Sequence, residues 1–350
     1  MPDAGLLDSP QPLATRYDVA LLDLDGVVYV GSREVEGAAA ALASARRLGM
    51  RLAFVTNNAA RPPSAVAAHL VELGVPAAPS EVITSAQAAA HYLAQRLPPG
   101  ARVLVVGTTG LVEALSERGL VAVSSADERP RAVVQGYSPD TNWRMLAEGA
   151  VAIRRGLLWV ATNLDATVPS PRGPLPGNGS LVAALRHATG ATPVSTGKPD
   201  PTMHRETVER SGAQRPLVVG DRLDTDIEGA NAVGCASMLV LTGVTSAAEL
   251  LAAPGKQRPS YIAQGLGGLL ERHPAPEAAD GTITCGGWSV RPRDELRLAK
   301  LPGHAQSAPL DALRSLCVAA WRTGVTRCAA DDERAETVLS ELGLRRSSAA

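Results

Sequence analysis

The apolar run Val19-Ala20-Leu21-Leu22 leads straight into Asp23-Leu24-Asp25-Gly26, and a second run, Val27-Val28-Tyr29-Val30, follows. A short continuous apolar run is the signature of a strand buried on both faces, as in a parallel sheet. Two carboxylates therefore stand at the carboxyl end of a buried strand, where open α/β sheets bind their ligands. Anions one residue apart are costly unless a cation or a proton is shared. Two carboxylates, Asp23 and Asp25, can take different roles. One can attack while the other handles protons, with a divalent ion screening the repulsion. Asp-Gly is also a common turn pair. Taken alone, the tetrapeptide favours a strand end entering a turn, and the downstream chain has to decide.

The rest of the chain repeats the rhythm. An Ala-rich helix is expected over 37–48, closed by Gly49, and a second buried strand over 51–55 ends in Thr56-Asn57-Asn58. Strand, helix and strand in this spacing form a βαβ unit, which crosses over right-handedly and pairs in parallel. A hydroxyl, two amides and loop N–H groups suit phosphate oxygens; Asn is equally a helix cap, with a helix expected from Ser64. Residues 1–16, rich in proline, read as a loose arm.

From Ser85 a second α/β unit with its own core begins. Strands are expected at 102–107, 120–123, 131–137 and 157–161, with helices at 86–97, 110–118 and 142–155. Its last strand ends in Thr162-Asn163-Leu164-Asp165, and a Pro/Gly-rich loop follows over 169–179. Gly107-Thr108-Thr109-Gly110 lacks both the dinucleotide-binding and the phosphate-loop spacings. The first sheet resumes at Gly197-Lys198-Pro199. Proline forces the preceding residue to an extended conformation, which aims the ammonium, and a lysine in a carboxylate site neutralises a phosphoryl group. A surface lysine in a turn is the alternative.

Leu217-Val218-Val219 then leads into Gly220-Asp221-Arg222-Leu223-Asp224-Thr225-Asp226. An acidic cluster at a strand tip is an oxygen-rich site suited to Mg²⁺, while Asp also complements a helix N-terminus. Both can hold, with Asp221 on the metal and Asp224 or Asp226 supporting the loop. Strands at 237–241 and 261–262 complete the sheet. The segment 273–281 reads as a linker. Beyond it come a strand over 282–290, a helix over 310–321, a strand over 325–329 and a helix over 333–342. So small a module is near the lower limit for folding alone, and is expected to pack on the main body or on another subunit, which leaves homo-oligomerisation open.

Composition narrows the partners. Across 350 residues, 45% hydrophobic and 20% charged, the formal net charge is −1, so nothing global points to nucleic acid or an anionic membrane. No apolar run reaches membrane-spanning length, and the N-terminus lacks signal-peptide features. Cys235, Cys285, Cys317 and Cys328 show no metal-type spacing and are expected to be reduced thiols in a cytoplasmic protein.

Taken in order, Asp-x-Asp-Gly after one strand, Thr-Asn after the next, Gly-Lys-Pro after an insertion, and Gly-Asp-x4-Asp after a further strand resemble the haloacid-dehalogenase superfamily. Ala161-Thr162-Asn163-Leu164-Asp165, Pro176-Gly177-Asn178-Gly179-Ser180 and the 220–227 segment make the p-nitrophenylphosphatase branch the nearest match, over about 17–270. The resemblance implies a Rossmann-like parallel-sheet α/β core (1–84 and 192–272) and an inserted α/β cap domain (85–191) that sets specificity. A small C-terminal α/β module (278–350) faintly resembles acetyltransferases of the GNAT type, without a clear glycine-rich loop for coenzyme A.

The same resemblance implies roles. Asp23 is the nucleophile that forms an aspartyl phosphate, and Asp25 is the general acid and base. Mg²⁺ sits on Asp23, the backbone carbonyl of Asp25, and Asp221, with Asp226 behind them. Thr56, Asn57, Asn58 and Lys198 bind the phosphoryl group. A second carboxylate at Asp25 argues for phosphate esters over carbon–halogen bonds, because a halide leaving group needs no proton. The expected activity is a phosphomonoesterase acting on a small phosphorylated metabolite. Overall likeness to the actinobacterial glycerol-phosphate phosphatase type, tail included, favours glycerol 3-phosphate over phosphoglycolate. A phosphometabolite-binding regulatory protein and a bifunctional phosphatase–acetyltransferase are the rival readings.

Overall fold

The computed structural model describes residues 5–168, 172–304 and 307–345. Val19–Leu22 is a strand with every side chain fully buried, as a continuous apolar run demands. Burying each Val or Leu contributes about 1.5–3 kcal/mol, so this strand is fixed in a core rather than at an edge. It pairs in parallel with Pro216–Gly220, which pairs with Ala236–Val240, which pairs with Tyr261–Ala263. By contacts the chain divides into two compact bodies. The first holds residues up to Val30, Glu34–Arg51 and everything from Gln214 onward; the second holds Gly31–Arg33 and Leu52–Ala213.

In the first body the C-terminal module adds a five-stranded sheet in the order Glu277–Ala279, Thr282–Cys285, Trp288–Pro292, Leu296–Lys300, Cys328–Ala330. The first three pairings are antiparallel. The last is parallel and is spanned by helix Pro309–Thr323, as a parallel pair requires a crossover. One continuous core joins Leu239, Leu250 and Ile262 to Trp288, Leu316 and Val338. The module therefore packs on the main body, one of the two placements the sequence allows.

Three sequence expectations change here. The strand expected over 282–290 is a hairpin, because Gly286-Gly287 reverses the chain between Thr282–Cys285 and Trp288–Pro292. The expected linker over 273–281 is ordered structure: His273 is buried and bridges Ser9, and Glu277–Ala279 is a strand. The expected loose arm contains helix Leu13–Arg16, whose Leu13 and Ala14 are buried. A few apolar side chains anchor it, which proline content alone obscures.

In the second body, Arg51–Thr56 pairs in parallel with Val82–Thr84. A separate five-stranded, all-parallel sheet runs Val194–Ser195, Leu158–Ala161, Ala132–Gln135, Arg102–Val106, Val121–Val123. Alternate residues of each strand feed opposite faces. Val103, Val134 and Val160 meet Leu93, Leu111 and Leu115, while Leu104, Val133 and Trp159 meet Ile153, Val182 and Leu185. Helices on both faces make each strand a nearly continuous apolar run. Of the loop expected at 169–179, residues 169–171 lie outside the described residues, and the remainder carries strand Leu175–Pro176.

Candidate active site

In the first body the Asp23 N–H donates to the Val219 carbonyl at 2.8 Å, so the tip of strand Val19–Leu22 is pinned beside the tip of Pro216–Gly220. The chain then turns tightly. The Leu24 carbonyl accepts from Val28 N–H at 2.9 Å, and Gly26 N–H donates to the Tyr29 carbonyl at 2.8 Å. Gly26 has φ +83°, and a Cβ there would lie 2.6 Å from Asp221 Oδ2. Only glycine fits both the left-handed backbone and the carboxylate packed against it.

Carboxylate oxygens of Asp23, Asp221 and Asp226 all lie within 4.8 Å of one another. Asp221 and Asp226 are buried and Asp23 is half-buried, whereas Asp25 is exposed. The Val244 N–H donates to Asp221 Oδ2 at 2.7 Å, and the Arg222 N–H to Asp226 Oδ2 at 3.2 Å. Leu223–Ile227 forms a π-type turn, with the Ile227 N–H reaching back to the Arg222 carbonyl at 3.2 Å. Such turns are rare and recur at functional sites. Here the turn sends Asp226 inward and Asp224 outward, where Asp224 pairs with Arg222 at 2.9 Å. Three converging carboxylates require a cation or shared protons, and an all-oxygen donor set suits a hard divalent ion.

In the second body Thr56 ends strand Arg51–Thr56 and is buried. Its Oγ1 accepts from Asn58 N–H at 3.1 Å, and Asn58 Oδ1 accepts from Ala60 N–H at 2.8 Å. Asn57 Oδ1 accepts from the Lys198 N–H at 2.9 Å, while its Nδ2 donates to the Lys198 carbonyl at 3.2 Å and to Asp165 Oδ2 at 3.1 Å. Lys198 is buried, and its Nζ donates to the Val55 carbonyl at 3.3 Å. Thr56 and Asn58 thus form one hydrogen-bonded pair in this body, and Asn57 and Lys198 another. The Asn57 carboxamide is spent on shaping the lysine loop.

Sequence reasoning assigns no role to two groups. One is the 242–245 loop that cradles Asp221: Thr242 Oγ1 donates to the Gly26 carbonyl at 2.6 Å, and Gly243 approaches so closely that a Cβ would overlap the Asp221 carboxylate. Its signal was a Thr-Gly pair one residue beyond the apolar strand Ala236–Val240. The other is the pair Asn163 and Asn178. The Asn163 Nδ2 donates to the Asn57 carbonyl, and the Asn178 Nδ2 to the Asn163 carbonyl, both at 2.8 Å.

A parallel α/β sheet whose adjacent strand tips gather three carboxylates, two of them directly following buried strands, suits metal-assisted chemistry on a ligand bound at those tips. The family model described as haloacid dehalogenase-like hydrolase matches residues 20–121, and a second hydrolase model of the same kind matches 195–269. A GCN5-related N-acetyltransferase-like model matches 285–344. The chain is 45% identical to the D-glycerol 3-phosphate phosphatase of Mycobacterium tuberculosis, over 96% of each protein. It is 37% identical to the acid sugar phosphatase of Staphylococcus aureus, over 66% of this chain and 89% of that one. The crystal structure of the M. tuberculosis glycerol phosphate phosphatase in complex with magnesium superposes with a TM-score of 0.88 at 44% identity, covering 96% of this chain and all of the other. A thermostable NPPase from Geobacillus stearothermophilus gives 0.65 at 33% identity, over 72% and 97%. The chain belongs to the haloacid-dehalogenase-like hydrolases and carries a GNAT-like C-terminal module. Among the described residues no helix is long and apolar enough to cross a membrane.

Proposed function

We propose that this protein is a Mg²⁺-dependent phosphomonoesterase that hydrolyses glycerol 3-phosphate to glycerol and phosphate. The observation that carries the reading is the convergence of Asp23, Asp221 and Asp226 at adjacent strand tips. The likeness over nearly the whole chain to a D-glycerol 3-phosphate phosphatase supports the substrate.

Asp23 attacks phosphorus as its P–O ester bond breaks, giving an aspartyl phosphate. Asp25, exposed at the turn, gives its proton to the departing alkoxide. It then takes one from the water that attacks phosphorus, which frees phosphate and restores Asp23. Asp23, Asp221 and the main-chain carbonyl of Asp25 hold the cation, with Asp226 behind them. When bound, Mg²⁺ screens the nucleophile from the phosphoryl oxygens and stabilises their developing charge. Lys198 and Thr56 hold the transferring group, and Asn57 and Asn58 set the shape of the loops that carry them.

Residues 85–191 act as the specificity cap on a core made of 1–84 and 192–272, with 278–350 as the appended module. The four cysteines are free thiols, in keeping with work in a reducing cytoplasm. The test is phosphate release with Mg²⁺ from both glycerol phosphates, phosphoglycolate and pyridoxal phosphate. Glycerol 3-phosphate leads the panel if the reading holds; release led by another ester overturns the substrate.

A further inference from the structure

The C-terminal module shares a core with the turn that carries Asp226. Leu223 and Ile227, which flank Asp224 to Asp226 in the π-type turn, lie in the same hydrophobic core as Leu313, Leu316 and Trp321 of helix Pro309–Thr323. A second route reaches Asp221. The Trp321 Nε1–H donates to the Leu250 carbonyl at 3.0 Å, and so ties that helix to Ala247–Leu251. Helix Ala247–Leu251 is started by Ser246, whose side chain accepts from the Glu249 N–H. The two residues before Ser246 hold Asp221: Val244 N–H on Oδ2 at 2.7 Å and Thr245 N–H on the carbonyl at 3.3 Å. Trp321 is itself clamped, because Arg258 donates from Nη2 to its carbonyl at 3.1 Å and from Nε to the Ala253 carbonyl at 3.2 Å.

We propose that the GNAT-like module is a brace for the cation site, with Trp321 as the positioning residue that fixes helix Ala247–Leu251 and, through it, the loop holding Asp221. The inference rests on the reading of Asp221 as a cation ligand. A packed core has discrete arrangements rather than continuous slack, so loosening one end of a helix displaces the loop at the other. Converging carboxylates gain cation affinity only while their oxygens are held at the spacing the ion needs. The module thus acts on the phosphatase site mechanically.

The experiment is calorimetric titration of Mg²⁺ into the full-length protein without substrate. Trp321→Phe keeps most of the packing and removes the indole N–H; Arg258→Gln loosens the same residue from the other side. Leu42→Ala, in the buried face of helix Ala38–Arg47, supplies a core defect away from this route. The brace predicts about fivefold weaker Mg²⁺ binding in Trp321→Phe and Arg258→Gln, the loss expected from one buried hydrogen bond. Leu42→Ala should bind as the parent does even where its melting temperature falls as far. Parent-like affinity in both brace variants, or an equal loss in Leu42→Ala, overturns the inference. A parent that binds no Mg²⁺ overturns the cation reading beneath it.

Discussion

The carboxamide of Asn57 engages both main-chain polar groups of Lys198, accepting its N–H at 2.9 Å and donating to its carbonyl at 3.2 Å. The two residues are 141 positions apart, so this pairing fixes where the lysine loop lies in its body. Asn57→Ala removes these bonds and the one to Asp165. A net loss of about 2 kcal/mol is expected from such a set. If it falls on the transition state it lowers kcat/KM about 30-fold. Steady-state kinetics and a melting curve measure the two effects.

Gly243→Ala tests the cradle around Asp221. The added methyl overlaps a carboxylate that is fully buried and already held by the Val244 N–H. Overpacking of this kind costs about 1–3 kcal/mol, and here the strain falls on a cation ligand. Mg²⁺ affinity is expected to fall at least ~10-fold, the worth of about 1.4 kcal/mol. Titration of Mg²⁺ against phosphate release checks it, and saturating metal should restore part of the rate.

The strand–helix alternation was legible because buried parallel strands are bare apolar runs; Val19–Leu22, Pro216–Gly220 and Ala236–Val240 all announce themselves that way. Asp23 and Asp221 were legible because each directly follows such a strand. The role of Asn57 was not, since its partner is distant in sequence and Asn after a strand is also a cap. Nor was the inward turn of Asp226 and the outward turn of Asp224, which depends on the register of one π-type turn. Strand Leu296–Lys300 was missed because its half-buried alternation mixes Arg and Lys with Leu. The Gly286-Gly287 reversal was missed because the residues on either side share strand character.

His273 gives the acid side of the stability profile. Burial pushes its imidazole below the ordinary range, and the nearby Arg314 guanidinium adds to the shift; a bond to the Gly268 carbonyl opposes it. The folded state therefore prefers the neutral ring. Its contribution is present above the unfolded pKa of about 6.5 and is lost as pH falls from there through the lower folded value. Melting temperature measured across that window should fall less steeply in His273→Gln than in the parent.

Removing the module tests whether it is separable. Truncation before Thr282 exposes Leu239, Leu250 and Ile262, which it helps to cover. Losing about 1.5–3 kcal/mol for each apolar side chain exposed consumes most of a typical domain stability of about 5–15 kcal/mol. The truncated chain is expected to be insoluble or to lack a cooperative melting transition. A soluble truncation with parent-like melting would show that the core stands alone.

The central claim is that Asp23 carries the phosphoryl group. The most direct measurement is an acid quench during turnover of phosphorus-labelled glycerol 3-phosphate with Mg²⁺, followed by mapping of the labelled peptide. The account predicts label on the peptide containing Asp23, removable by hydroxylamine and absent in Asp23→Asn. Turnover that persists in Asp23→Asn, or label on a peptide without Asp23, would contradict it.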